Sequence, residues 1–239
     1  MRLDTHIHTA YSIDGVSMPR DVIRHARRFT CLDAIAITDH NRIFSKKEAE
    51  ELTRESGMLV IPGIELGRLS SSRHIVALNV DHLDVGRLLK NNDPYEMVES
   101  ISEQGGLSIA AHPVPRGFLN FFEIGFDAVE IINGGCALNN RLIKNPRRLP
   151  AIGCSDAHIL NHIGRAWTEV DGVVPEQFSE KSKSSEIRQM TENVIEKIRR
   201  GLCHARGDFT SDALYLKYGY SMGKKYLSSS FDAIRSLVI

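Results

Sequence analysis

Nine short apolar runs, most of them separated by amphipathic stretches, constrain the fold of this chain more than any other feature. They fall at residues 2–8, 33–38, 59–64, 74–80, 107–111, 128–132, 151–154, 166–170 and 202–205. Runs of this length suit buried strands and are too short for buried helices. Helix-patterned stretches lie at 19–29, 45–56, 94–104, 138–143 and 186–200. The first opens with Pro19 and sets Val22, Ile23 and Ala26 at helical spacing. Strand–helix alternation over the whole chain predicts parallel strands joined by helical crossovers, in an α/β barrel or a doubly wound sheet. At 239 residues the chain fits a single such domain. The polar stretch 179–185 reads as a loop before a helix, so no domain boundary is expected there. The expected organisation is one domain over 1–239, with a motif-bearing core over 1–170 and a closing strand and C-terminal helices over 186–239. Tyr215, Tyr218, Tyr220 and Tyr226, at roughly helical spacing, read as packing residues.

Composition narrows the function classes. Lys plus Arg equals Asp plus Glu at 30 each, so no global field draws in long nucleic acid or an anionic membrane. No apolar run approaches the roughly 18 residues needed to span a bilayer. The chain opens on a strand-like segment without a leader pattern. Cys31, Cys136, Cys154 and Cys203 are widely spaced and form no CxxC pair, which reads as free thiols in a reducing compartment. A cytoplasmic location and no membrane partner are therefore expected.

The ten histidines are the unusual component. Several apolar runs end or begin at a candidate metal ligand. The first carries His6 and His8, with Asp14 just beyond it. The second ends Thr38-Asp39-His40, the third delivers Glu65, and the fourth opens with His74. The fifth leads into His112, and the seventh into Asp156 and His158. Side chains at i and i+2 of a strand share a face, so His6 with His8, and Asp156 with His158, can each serve one ion. In an α/β barrel the C-terminal strand ends converge on one face, where active sites are built. Taken singly, each residue has a plainer reading: a hydrogen-bonded core histidine, a turn at Asp14-Gly15, a capping carboxylate at Glu65. Together, in strand order, His6, His8, Asp14, His40, Glu65, His74, His112, Asp156 and His158 exceed what one tetrahedral ion needs. They point to two or three divalent ions, with imidazole and carboxylate suiting Mn, Fe or Zn alike. His25, His82 and His204 fall outside the pattern and read as structural. His162, four residues past His158, is a weaker candidate.

These motifs resemble those of the PHP (polymerase and histidinol phosphatase) family. DTHIHTAYSIDG is similar to its first motif, AIAITDHN to its second, PGIEL followed by His74 to its third, AAHP to the next, and GCSDAH to the last. The resemblance runs from residue 3 to about 170 and continues loosely in IEKIRRG. It implies a distorted (β/α)7 barrel, a two- or three-metal centre and phosphoester hydrolysis. It also implies a partition of ligands. His6, His8, Glu65 and Asp156 would hold one metal, Glu65, His74 and His112 a second, and Asp14, His40 and His158 a third. Some relatives carry His at the position of Asp14. The Asp form resembles the subgroup acting on nucleotides and RNA ends and disfavours a histidinol-phosphatase-like small-molecule phosphatase. The segment between Val80 and Leu107 is short for that subgroup.

The expected chemistry follows. Two metals about 3.5–4 Å apart hold a hydroxide between them for in-line attack at phosphorus. The remaining phosphoryl oxygens then need a cation, and Arg116 and Arg165 follow directly on ligand motifs, with Arg73 a third option. Asp39 would orient a ligand or act as an acid. The expected substrate is a small phosphorylated molecule, a nucleotide or short nucleic acid. Two other readings stand beside it. One is an amidohydrolase-type barrel, disfavoured because the bridging candidate is Glu65 rather than a carbamylated lysine. The other is a non-catalytic metal-binding module, disfavoured by the full ligand set.

Overall fold

The computed structural model describes residues 1–68, 73–113, 123–135 and 148–208. Each of the nine apolar runs contains a strand, the first only as far as Asp4, short of His6 and His8: β1 Arg2–Asp4, β2 Ala34–Ile37, β3 Leu59–Leu66, β4 His74–Leu78, β5 Leu107–Ala111, β6 Ala128–Asn133, β7 Ala151–Cys154, β8 Ala166–Val170 and β9 Cys203–Gly207. Helices among the described residues are α1 Pro19–Phe29, α2 Lys46–Ser56, α3 Val85–Asn91, α4 Pro94–Ser102 and α5 Ser184–Arg199. The proline at the start of α1 and the capping box of Ser45 with Glu48 at α2 set two of the starts where the sequence places them. Helix α3 has no counterpart among the helical stretches read from the sequence. The expected helix at 138–143, Arg116, Cys136 and the tyrosines beyond 208 lie outside the described residues.

The strands form one sheet in the order β7-β6-β5-β4-β3-β2-β1-β8-β9. It curls until it nearly closes. Thr168 on β8 bonds through Oγ1 to both N–H and carbonyl of Gly153 on β7, at 3.2 and 2.8 Å. A side chain at Gly153 would come within 2.6 Å of the Trp167 carbonyl, so this seam requires glycine. The all-parallel expectation needs one correction. β4 is antiparallel to β3 and β5, and β8 is antiparallel to β1 and β9. Only residues 67–73 join β3 to β4, too few for a crossover, which takes a dozen or more. The turnover occurs within β3, which pairs with β2 as far as Pro62 and with β4 from Gly63 onward. Pro62 has no N–H to donate, which suits the handover point.

Alternation along the strands divides the core. Leu3, Ala34, Ala36, Leu59, Ile61, Val76, Leu78, Leu107, Ile109, Ala128 and Ile152 face inward, and Ile187, Met190, Val194 and Ile198 of α5 pack against them. The opposite faces carry the helices: α1 and α2 over β2 and β3, α3 and α4 over β4 to β6. No helix of the described residues is long and apolar enough to cross a membrane.

Candidate metal centre

On β3 the inward parity of Leu59 and Ile61 leads to Glu65, buried at 1% exposure. On β4 the parity of Leu78 and Val76 leads to His74. His74 opens its strand, yet because β4 is reversed this end lies beside Ala111 at the close of β5. His112 follows at once with φ +28°, and Asp156 sits just beyond β7 with φ +49°. Both are non-glycine residues with left-handed backbone, a strained state that concentrates at functional sites. His6 and His8 follow the end of β1, with Ile7 bridging Ala157 in parallel fashion. Asp14 is carried by a tight loop, in which a side chain at Gly15 would run into the Thr9 carbonyl.

The structure brings all nine sequence-derived ligands into one cluster. Glu65 is its centre. Its Oε2 lies 3.2 Å from His6 Nε2, 3.2 Å from His8 Nε2 and 3.0 Å from His40 Nδ1. Its Oε1 lies 3.0 Å from His74 Nδ1 and 3.2 Å from His112 Nε2. Asp156 Oδ1 is 3.3 Å from His8 Nε2 and 3.6 Å from His6 Nε2. Asp14 Oδ2 lies 3.2 Å from His40 Nε2 and 3.1 Å from His158 Nε2. The rings of His8 and His158 stack with centroids 4.2 Å apart.

These groups fit metal ions better than they fit one another. His6 Nε2 and His8 Nε2 face each other at 3.0 Å, so their lone pairs share one target. Glu65 Oε2, His40 Nδ1 and His74 Nδ1 are buried and complete no well-angled hydrogen bond among the described residues. Meanwhile the outer nitrogens are held by acceptors. His158 Nδ1 donates to the Asp156 carbonyl at 2.9 Å, and His74 Nε2 donates to the Arg68 carbonyl at 3.1 Å. Ser12 Oγ donates to Asp14 at 2.7 Å and can accept from His8 Nδ1 at 3.4 Å. In a neutral ring each such contact fixes the proton on the outer nitrogen and aims the inner nitrogen's lone pair at the cluster. Four overlapping groups have ligand atoms close enough for an ion: His8, Asp14, His40 and His158; His6, His8 and Asp156; His40, Glu65 and His74; and His6, Glu130 and Cys154.

Charge in the cluster is strongly coupled. Burial disfavours the charged form of His8, yet hydrogen bonds to Asp156 and Glu65 push its pKa up to about 10. His6 is also buried, but the charges of Glu65, Asp156 and Glu130 raise it well above its usual range. Burial alone would raise Glu65 and Asp156. The facing histidines reverse this and hold both well below the ordinary carboxylate range.

The other sequence candidates lie apart. Asp39 is buried and accepts from Thr9 N–H at 2.6 Å and Thr9 Oγ1 at 2.7 Å, so its carboxylate ties down the loop after β1 and stands outside the four ligand groups. Arg165 is exposed, donates from Nε to the Asn161 carbonyl at 3.4 Å and lines a surface cleft with His25, Phe29 and Cys31. His162 is buried in the turn Leu160–His162, outside the ligand groups. His25 packs on Phe29, and His204 pairs with Asp171. Sequence reasoning missed Glu130. Its legible trace was a carboxylate inside the apolar run AVEIIN, two residues from the inward-facing Ala128.

A nearly closed α/β barrel with a cluster of imidazoles and carboxylates at one end defines the class, and comparison with known proteins gives the family. The PHP domain family profile matches residues 4–203, and the chain belongs to that family. It is similar to an uncharacterised protein of Methanocaldococcus jannaschii, at 32% identity over 168 residues covering 63% of this chain and 94% of the relative. A stretch of 82 residues, 34% of this chain, is 34% identical to a 5′-3′ exoribonuclease of Haemophilus influenzae, of which it covers 29%. Among solved structures, a two-domain protein of Bacteroides vulgatus containing a predicted PHP-like metal-dependent phosphoesterase superposes with a TM-score of 0.56 at 20% identity. The match covers 87% of this chain and 64% of that one, less than two thirds of its length. An amidohydrolase of Chromobacterium violaceum with bound sulfate gives 0.52 at 18% identity, covering 80% and 97%.

Proposed function

We propose that this chain is a metal-dependent phosphoesterase that hydrolyses a phosphomonoester, a nucleotide phosphate or a phosphate at the end of short nucleic acid. One observation carries the reading: a single buried carboxylate, Glu65, faces five imidazole nitrogens with its two oxygens. A carboxylate so placed can bridge two cations. In the partition that the family resemblance implies, His6, His8, Glu65 and Asp156 would hold one ion, Glu65, His74 and His112 a second, and Asp14, His40 and His158 a third. Mn, Fe and Zn all suit this donor set. Divalent ions bound there supply Lewis-acid charge toward phosphoryl oxygens and lower the pKa of water. The protein's part is geometric. Thr9, held by Asp39, fixes the loop between the two histidines and Asp14. The outer nitrogens of His8, His74 and His158 are anchored, so the inner ones stay aimed at the centre. Arg116, outside the described residues, remains the candidate for binding substrate oxygens, whereas Arg165 lines a separate surface cleft. The free thiols of buried Cys154 and Cys203 suit a reducing compartment such as the cytoplasm.

The exoribonuclease and phosphoesterase named among the similar proteins support this reading. The amidohydrolase name does not displace it, because the group placed to bridge two ions here would be a glutamate, Glu65, rather than a carbamylated lysine. The test is elemental analysis of protein purified without chelator, paired with hydrolysis of phosphomonoesters, phosphodiesters and nucleotide bisphosphates in added Mn²⁺. The expected result is two or three ions per chain and turnover of one substrate class. Metal without turnover on any phosphoester would shift the assignment to a binding module or an amide substrate. No metal uptake after loading would end it.

A further inference from the structure

We propose that Glu130 is a positioning residue that fixes two metal ligands that follow two different strands, the ring of His6 and the backbone of His112, and thereby sets how tightly the centre holds its ions. The inference rests on the metal-centre reading above.

Glu130 lies inside β6 and is fully buried. Its Oε1 is 2.9 Å from His6 Nδ1. Its Oε2 accepts from the His112 N–H at 2.7 Å and from Asn133 Nδ2 at 2.9 Å. An ionised carboxylate accepts and cannot donate. Facing it, His6 carries a proton on Nδ1, so in the neutral, metal-binding form of the ring it is Nε2 that offers a lone pair toward Glu65, His8 and Asp156. Other outer nitrogens in the cluster are held by backbone carbonyls or a hydroxyl. His6 is held by a carboxylate that also holds the peptide of a second ligand. His112 is also the residue at φ +28°, a strained backbone that persists where surrounding contacts hold it, and the bond to Glu130 is one of them. Glu130 therefore couples the position of a ligand after β1 to that of a ligand after β5.

Glutamine is nearly isosteric and cannot do this. One of its two terminal atoms is an NH₂ donor, and it must face a donor on one side. Turned toward His6, it forces the imidazole proton onto Nε2, the atom that faces the centre. Turned toward His112, it leaves that N–H opposed. A hydrogen bond of this kind to a metal-binding histidine typically governs affinity by about 10–100-fold.

Two measurements test the proposal. The first is Zn²⁺ affinity and stoichiometry of Glu130→Gln against wild type, by competition with a chelating dye, on protein whose circular dichroism matches wild type. Weakening by about 10–100-fold is expected. Unchanged affinity at every site in the folded variant overturns the proposal. The second is a ¹⁵N histidine NMR spectrum of Zn-loaded wild type, which stands even where the variant does not fold. His6 protonated on Nδ1 and metal-bound through Nε2 is expected, and the reverse assignment overturns the proposal. Wild-type protein that takes up no Zn²⁺ would instead defeat the metal-centre reading, a result separate from a variant that binds as wild type does.

Discussion

The two ends of the same inward-facing strands could hardly differ more. On β3, Leu59 and Ile61 point into an aliphatic layer, and four residues on Glu65 points into a cluster of imidazoles. On β4, Leu78 and Val76 give way to His74, and on β6, Ala128 gives way to Glu130. The lower layer is stabilised by removing apolar surface from water, a term that needs no particular charge state. The upper layer buries charge, which is costly unless each group is paired or metal-bound. One strand pattern thus builds a scaffold that is stable by itself and a site that depends on pH and ions. The helix α5 reinforces this division, since it packs Ile187, Met190, Val194 and Ile198 against the aliphatic layer.

The largest expected effect comes from removing the centre of the upper layer. Glu65→Gln should cut hydrolysis by at least about 10³-fold, roughly 4 kcal/mol in the barrier, and lower the metal stoichiometry. Thermal unfolding should remain cooperative because the aliphatic layer is untouched. Full activity at wild-type metal content would erase the distinction between the layers. Next in size is Ile61→Ala, one layer below on the same strand face. It should destabilise by about 2–5 kcal/mol, the cost of a buried cavity. Metal bound per folded chain should not change, as urea unfolding and elemental analysis together would show.

A smaller effect concerns pH in chelator-treated protein. His8 has an ordinary value of 6.5 and a folded value of about 10. Its favourable interactions are therefore fully present below 6.5 and are lost as pH rises through about 10. Glu65 and Asp156 are shifted down, so their contribution is present above ordinary carboxylate values and is lost as acid protonates them. Metal-free protein should have its highest melting temperature near neutrality and lose a few degrees toward pH 10. Metal loading should release protons and flatten the alkaline decline. A melting temperature that climbs steadily from pH 7 to 10 without metal would contradict the assignment of these charges.

Much of the site was legible because its residues break a pattern. A carboxylate or histidine in or beside an apolar run cannot be buried cheaply alone, so nine of them so placed already imply a shared function. Glu130 was less visible because it sits inside its run rather than at the end. Its inward direction could be read only after Ala128 was known to face the barrel interior. Asp39 shows the converse. Its place beside His40 suggested a role toward the ligands, but its oxygens reach Thr9, a partner 30 residues earlier in the chain. The arginines carried no such signal, since a long charged side chain beside a motif is equally at home in solvent.

The sequence by itself determined the nine strands, the starts of α1 and α2 and the chemical types that meet in the site. Each of these follows from local periodicity, caps and the cost of burying charge. Only the tertiary structure decided the direction of β4 and β8 and, with it, that His74 joins the same end of the barrel as Glu65 and His112. It also decided the left-handed backbone at His112 and Asp156. Strand direction depends on how connectors close around a curved sheet, and strained backbone persists only where surrounding contacts hold it. Both are properties of the assembled barrel, which no short window of sequence contains.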